Sequence, residues 1–534
     1  MSLRAFVLAR AENLLFALLL LLHLLPIWTV RYFLTTDGPA HLYNAWVTKV
    51  LLTQAQHPFH HYLAFNPVPV PNYLTSIILS GFLGVLPPWL AEKLVQTLYV
   101  IGLPWALRYM LRAWQPRAGF LALLAFPLIY SSVFQYGFYN FCLSIVLLLV
   151  ILGYWRLHLY QLGWAPRRIA GLALWLLLLY FAHPLTYLVT GLVLGLFVLE
   201  QTWFSLVPEG TRRADLLRSG LLSLLLASAP SLLLLGWYLR HPTAEESVPS
   251  AHIATGKLLQ DWLALEPLRF MGSAEGTYRG LIATLLLGLV SYTVWCQLRG
   301  RRVASGLAWA LGAGLLVLAY VLLPDALLGG SIIRPRLGVL SYLLLIGLLS
   351  TVPYPRRLRQ ALVGATILLT VLLLSFRANK YRTLATGLNE YLTAISYLRP
   401  GTSLASFTYA HVTRMPNGKD YKSYIDVFPH VAGYLGVERH LLNYENYEAH
   451  TGYFPLVWRP GQALLTDRDS TPARIEWTTY PRRQWPDYVL LWGRGLKPVP
   501  TANAQQLAAH LSQYYHSLYR SPTGLLELWG LSKK

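Results

Sequence analysis

Only two cysteines, Cys142 and Cys296, occur in 534 residues, and both fall inside apolar blocks. That excludes a disulfide framework and a cysteine-built zinc site. Acidic residues are also scarce, 23 Asp and Glu against 44 Lys and Arg. Charged residues together make up 13% of the chain, while 55% is hydrophobic. The sequence has no Gly-rich phosphate loop, internal repeat or low-complexity tract. It also lacks any Asn-x-Ser/Thr sequon, which fits a bacterial chain.

What is present is leucine. Apolar blocks at 14–25, 143–152, 172–180 and 362–374, extended by flanking Ala, Gly, Trp and Tyr, reach the roughly 20 residues a helix needs to cross a hydrocarbon core about 30 Å thick. The pattern predicts an all-α polytopic membrane protein. The first block lacks a small-x-small cleavage site and runs into Pro26, Trp28 and Tyr32, so it reads as a retained span with an aromatic interfacial anchor. The net charge of +21 lies in short loops between apolar blocks, where the positive-inside bias explains it without nucleic acid. The clusters Arg108/Arg112/Arg117, Arg156/Arg167/Arg168, Arg212/Arg213/Arg218, Arg299/Arg301/Arg302 and Arg356/Arg357/Arg359 are placed in the cytoplasm. Between them the expected crossings pair as 118–134 with 138–156, 168–183 with 184–202, 219–238 with 278–298, and 303–323 with 332–352. Adding the first block, 91–107 and 360–376 gives about 11 crossings. The stretch 72–88, ended by Pro87-Pro88, reads as re-entrant or juxtamembrane, and it would make the total about 12 if it spans.

Composition changes near Phe376. Residues 1–376 are expected to form the transmembrane domain, with a first external loop at 31–71. Residues 377–534 have no apolar run long enough to span and read as a small soluble α/β domain on the non-cytoplasmic side, serving as a substrate-recognition or scaffolding cap. Within it, helices are expected at 389–398 and 502–515, with strands at 403–409, 487–492 and 524–529.

This topology gathers polar residues on one side of the membrane. They are Asp37, His41, the turn carrying Tyr139 and Asn140, His183-Pro184, the acidic 241–277 loop, Asp325, and Arg334 with Arg336. Polar groups at membrane depth cost several kcal/mol unless paired or hydrated, so such a gathering implies a polar cavity. Each residue also has a plainer reading. Asp37 before Gly-Pro fits a helix N-cap, Arg334 and Arg336 fit interfacial snorkelling, and His183-Pro184 fits a kink. Glu245, Glu246, Asp261, Glu266 and Glu275 read mostly as a solvated loop. His57, His60 and His61 have no acidic partners nearby, so no metal or other cofactor is expected.

The run Asp37-Gly-Pro-Ala-His-Leu-Tyr-Asn44 just beyond the first span, the Pro67-x-Pro69-x-Pro71 lead into the next apolar stretch and the soluble C-terminal domain together resemble the GT-C superfamily of integral membrane glycosyltransferases. That resemblance implies a polyprenyl-phosphate sugar as donor and a lipid-linked or cell-envelope glycan as acceptor. It also implies Asp37 as catalytic base and a bacterial inner-membrane location with the site on the non-cytoplasmic face. Arg334 and Arg336 would then hold the lipid phosphate, while His41, His183, Tyr139 and Asn140 would contact phosphate, sugar or base. No Asp-x-Asp or Glu-x-Asp pair accompanies Asp37, which disfavours a metal-dependent oligosaccharyltransferase-like reaction. The absence of an Asp-Glu pair disfavours protein O-mannosylation. The alternatives are a ligase or polymerase of polyprenyl-diphosphate glycans, resting on His and Arg, and a non-enzymatic transporter, for which matched broken helices are lacking.

Overall fold

Backbone amides in hydrocarbon must be satisfied within their own segment, and the leucine-rich blocks accordingly fold as helices. The computed structural model describes residues 3–532 except 161–164, 205–211, 241–252, 328–329, 410, 413, 422, 463–480 and 495–501. Its contacts divide the chain into two units. The first comprises Met1–Leu25, Gln96–Phe134 and Tyr139–Phe376, and the second comprises Pro26–Val95, Gln135–Phe138 and Arg377–Lys534. The first external loop therefore belongs to the same unit as the C-terminal chain.

The first unit is helical. Among the described residues, Tyr139–His158, Pro184–Phe204, Arg213–Arg240, Glu275–Leu298 and the stretch Arg356–Tyr397 are long and apolar enough to cross a membrane. Together with the fold they make this an integral membrane protein. The expected total of 11 or 12 crossings exceeds the five helices that qualify by length and hydropathy alone. Pro166–Ala182 and Ile333–Leu349 have 17 residues each, and Leu307–Leu322 has 16. The expected span at 118–134 is not one α-helix. It is a 3₁₀ helix over Pro116–Ala125 followed by short helices at Phe126–Ile129 and Ser132–Gln135, since Pro127 has no amide to continue the ladder. Helix Pro166–Ala182 ends at His183, which is extended (φ −165°, ψ 127°). A residue before proline avoids the helical region, and Pro184 then opens the next helix.

Of the 241–277 acidic residues, Glu245 and Glu246 lie outside the described residues. Asp261 pairs with Lys257, and Glu266 lies 3.2 Å from Arg269 and 3.1 Å from Arg279. Glu275 departs from the solvated reading. It is fully buried, and its Oε2 accepts the Phe270 and Met271 amides at 2.9 and 2.8 Å.

In the second unit, helix Gly38–Thr53 packs on helices Leu74–Leu83 and Ala432–Arg439. Leu74–Leu83 has 10 residues, about 15 Å, too short to cross a bilayer core. Strand β1 (Leu63–Phe65) lies in the first external loop. In the C-terminal chain follow β2 (Ser403–Thr408), β3 (Leu442–Asn443), β4 (Leu456–Trp458), β5 (Tyr488–Trp492), β6 (Tyr515–Arg520) and β7 (Leu526–Leu531). Five of these form a sheet in the order β3-β2-β5-β7-β6, parallel at β3-β2-β5 and antiparallel across β7. All five β5 residues are buried, as expected for a parallel strand covered on both faces. The helix expected at 389–398 is the end of a helix running from Arg356 to Leu392, followed by a 3₁₀ turn over Thr393–Tyr397.

Strand β1 pairs antiparallel with β4, Ala64 opposite Val457, so the loop after the first span and the C-terminal chain share a sheet. Buried Asn66 reinforces the junction. Its Nδ2 donates to the Gly452 and Phe454 carbonyls at 2.8 and 3.1 Å, and its Oδ1 accepts the Val68 amide at 3.0 Å. Asn66→Ala would leave these groups without their partner at about 1–3 kcal/mol for a buried unsatisfied group. The variant should melt at a lower temperature than wild type when followed by tryptophan fluorescence. An unchanged midpoint would show that the junction is not what holds this unit.

Candidate active site

The junction carries a buried group of ionisable side chains, all within the second unit. Asp37 stands at the N-terminus of helix Gly38–Thr53, with Pro39 in the first turn, yet its side chain makes no capping hydrogen bond. The carboxylate is turned to other partners. Its own amide donates to the Tyr136 carbonyl at 2.9 Å, and the Thr36 amide donates to the Gln135 carbonyl at 3.0 Å, so the turn 135–138 fixes the backbone beneath it. Gly137 (φ +83°) is needed there. A Cβ at this position would sit 2.7 Å from the Gly38 amide nitrogen and 2.9 Å from that of Asp37. On the other side, a Cβ on Gly433 would meet the Pro39 carbonyl oxygen at 2.3 Å.

Around Asp37 stand residues from the C-terminal chain. His430 Nε2 lies 3.7 Å from Asp37 Oδ1, and its Nδ1 lies 2.5 Å from Glu445 Oε1. Tyr447 lies beside the Asp37 carboxylate, and its ring stacks on His430 at 4.4 Å. His41, one turn along the helix, has Nδ1 2.6 Å from Glu448 Oε1. Asn44 Nδ2 donates to Glu448 Oε2 at 2.6 Å and to Asn446 at 3.0 Å. Nearby, Tyr434 donates to both oxygens of buried Glu92.

Burial sets the electrostatics. It raises the Asp37 carboxyl above the usual carboxylate range, against the pull of the His430 and His41 charges. Burial opposes charging of the His430 ring, but Glu445, Asp37 and Glu448 outweigh it, and the pKa is pushed up to about 9. His41 is likewise desolvated, yet raised on balance by Glu448. Burial and the surrounding carboxylates hold Tyr447 well above the ordinary phenol range, so it keeps its proton. The three carboxylates differ in access. Asp37 keeps 15% of its side chain exposed, Glu445 6% and Glu448 1%. Glu445 and Glu448 serve the histidines, and Asp426, which also faces His430, is 27% exposed.

The remaining sequence-derived residues lie in the first unit. Arg336 sits 5.8 Å from the Phe141 ring centre, and His183 meets the same ring edge-on at 5.1 Å. These two therefore come together beside Tyr139 and Asn140, which open helix Tyr139–His158. The Tyr139 hydroxyl accepts from Gln96 Nε2 at 2.7 Å. Arg334 is differently engaged. Its amide donates to Asp325 Oδ1 at 2.8 Å, making Asp325 the cap of helix Ile333–Leu349, and its guanidinium reaches the Leu323 carbonyl at 3.4 Å. An apolar cavity of about 920 Å³ opens in this unit, lined by Leu176, Leu188, Leu192, Leu221 and Leu225 with Arg218 and Tyr187. No carboxylate or histidine lines it, so it suits hydrocarbon rather than chemistry. Among the described residues, no group of three or more His, Cys, Asp or Glu is arranged to hold a metal ion.

His430, Glu445, Tyr447 and Glu448 were not singled out from the sequence. The available signal was Asn443-Tyr-Glu-Asn-Tyr-Glu448, a tandem Asn-Tyr-Glu in the tail. Its partner segment lies some 400 residues earlier, as with Asn44 and Asn446.

The fold, helical through most of the chain with a small C-terminal α/β part, is shared with ArnT. ArnT from Cupriavidus metallidurans in the apo state is similar over 97% of this chain and 98% of its own, with 14% identity and a TM-score of 0.54. The same protein bound to undecaprenyl phosphate is similar over 99% and 98%, with 14% identity and a TM-score of 0.53. At that identity the likeness is one of fold. No family model and no curated protein sequence matches the chain.

Gly137 supplies a direct test of how Asp37 is held. Gly137→Ala imposes a left-handed conformation on an L-residue, about 1–2 kcal/mol, and adds the clash with the Asp37-Gly38 backbone. Gly401 (φ +75°) has open space around its Cβ position, so Gly401→Ala carries the conformational term alone. Gly137→Ala should lower the melting temperature more than Gly401→Ala. Equal shifts would mean that the turn does not press on Asp37.

Proposed function

We propose that this chain is an inverting glycosyltransferase that moves a sugar from a polyprenyl-phosphate donor to a lipid-linked or cell-envelope glycan, with Asp37 as the general base. The observation that carries the reading is the Asp37 carboxylate. It is largely buried, not engaged in capping, fixed by its backbone, and more exposed than Glu445 and Glu448, which hold the neighbouring histidines. The GT-C fold supports the donor class, as does the structure of ArnT with undecaprenyl phosphate bound.

The reaction needs little else from the protein. An acceptor hydroxyl attacks the anomeric carbon as its proton passes to Asp37, and the carbon–oxygen bond to the phosphate breaks with its electron pair leaving on oxygen. The departing polyprenyl phosphate is already a stabilised anion, so no general acid is required. A single displacement without an enzyme nucleophile inverts the anomeric centre. A base whose pKa burial has raised towards neutrality is better matched to removing a hydroxyl proton than an ordinary aspartate. Arg336 with His183, and Arg334, are proposed to hold the phosphate through charge-assisted bonds. Tyr139 and Asn140 are proposed to contact donor, and His41 to act beside the base. The proposed setting is a bacterial inner membrane with this chemistry on the non-cytoplasmic face.

Asp37→Asn removes the proton acceptor while preserving side-chain size, and since no capping bond is lost the variant should fold and insert. Transfer from a panel of polyprenyl-phosphate sugars should fall by about 10²-fold or more. A stable variant with undiminished transfer would take Asp37 out of the mechanism. For the phosphate, Arg336→Lys keeps the charge but loses the planar fork. It should weaken donor saturation less than Arg336→Ala, and equal, wild-type saturation by both would leave Arg336 as an anchor only.

A further inference from the structure

We propose that His430, held by Glu445, is a positioning residue for Asp37, a buried imidazolium that keeps the carboxylate ionised and aimed. The inference rests on the reading of Asp37 as the base, and it assigns a role in the chemistry to a histidine far along the C-terminal chain.

Three contacts fix the ring. Nδ1 lies 2.5 Å from Glu445 Oε1, the face stacks on Tyr447 at 4.4 Å with 29° between planes, and Nε2 lies 3.7 Å from Asp37 Oδ1. The last distance is too long for a hydrogen bond, so His430 acts on Asp37 through its charge and leaves the carboxylate oxygen available to an incoming hydroxyl. Tyr447 completes the arrangement, since its ring packs on His430 and its side chain lies beside Asp37. The charged and titratable groups facing His430 are Asp37 from the turn before helix Gly38–Thr53, Glu445, Tyr447 and Glu448 from the segment after β3, and Asp426 from the preceding loop. On the far side of Asp37 stands His41, whose own carboxylate partner is Glu448. His430 is therefore surrounded by carboxylates and retains its proton through neutral pH. Without that charge, a carboxylate this buried would favour its protonated form, which cannot accept a proton.

The test is a pH titration of the full chain in lipid nanodiscs with isotope-labelled histidine. The His430 ring signal is assigned by its loss in His430→Gln, or in His430→Asn if the former does not fold. In the wild type the ring should titrate at about 9. Asp37→Asn and Glu445→Gln should each lower that midpoint, by about one unit or more. A ring titrating near the ordinary histidine value of about 6.5, or a midpoint indifferent to Asp37→Asn, overturns the proposal, and the first of these outcomes needs no variant at Asp37. Transfer of polyprenyl-phosphate sugars adds a second readout. In His430→Gln, or His430→Asn, the acid limb of the pH–rate profile, set by protonation of Asp37, should move to higher pH. A uniform loss at every pH with both limbs in place assigns His430 to structure alone and overturns it. The expected titrations in a chain that transfers no sugar would uphold the His430–Asp37 charge pairing and sink the glycosyltransferase reading instead.

Discussion

An ionised carboxylate removed from water needs a compensating charge, and at Asp37 that charge comes from the other end of the chain. His430 faces Asp37, Glu445 holds His430, and Tyr447 from the same short segment stacks on His430. Those residues reach Asp37 only if the first external loop and the C-terminal chain fold as one body. The pairing of β1 with β4, the Asn66 bonds to 452 and 454, and the Tyr43 hydroxyl, which donates to the Leu441 carbonyl and accepts the Asn443 amide, are what accomplish this. The local chemistry of a single aspartate is thus a property of a long-range fold.

The helical part follows a related rule with different means. Ionisable groups among apolar helices persist when paired, and here Glu12 engages both Arg108 and Arg359, Glu266 meets Arg279, and Glu200 accepts the Ala308 amide. Breaks in the helices are likewise placed by chemistry. His183 is extended because Pro184 follows it, and Ile332 takes a left-handed conformation (φ 59°) immediately before the helix that Asp325 caps. Arg336 and His183 share the Phe141 ring in a setting where Arg334 is partly committed to the backbone.

Much of this was legible in the sequence, because hydropathy and breakers act locally. Helices expected at 138–156, 184–202 and 278–298 are found as Tyr139–His158, Pro184–Phe204 and Glu275–Leu298, and the strand expected at 403–409 is Ser403–Thr408. The apolar run at 118–134 misled because composition does not register the cost of Pro127 within a helix. Strand β6 was not expected, because Tyr515–Arg520, a sheet edge with His, Ser and Arg, lacks the apolar alternation of a covered strand. For Asp37 the sequence offered two roles, and its side chain makes no capping hydrogen bond. His430 and the Asn443–Glu448 segment remained invisible, since nothing local in them reports a partner some 400 residues away.

The most direct measurement is an experimental structure of the full chain with a non-reactive polyprenyl-phosphate sugar bound. The account predicts the anomeric carbon facing Asp37, with room for an acceptor hydroxyl about 3 Å from the carboxylate and His430 still beside it. Sugar density away from Asp37, with the carboxylate sealed behind protein, would contradict it.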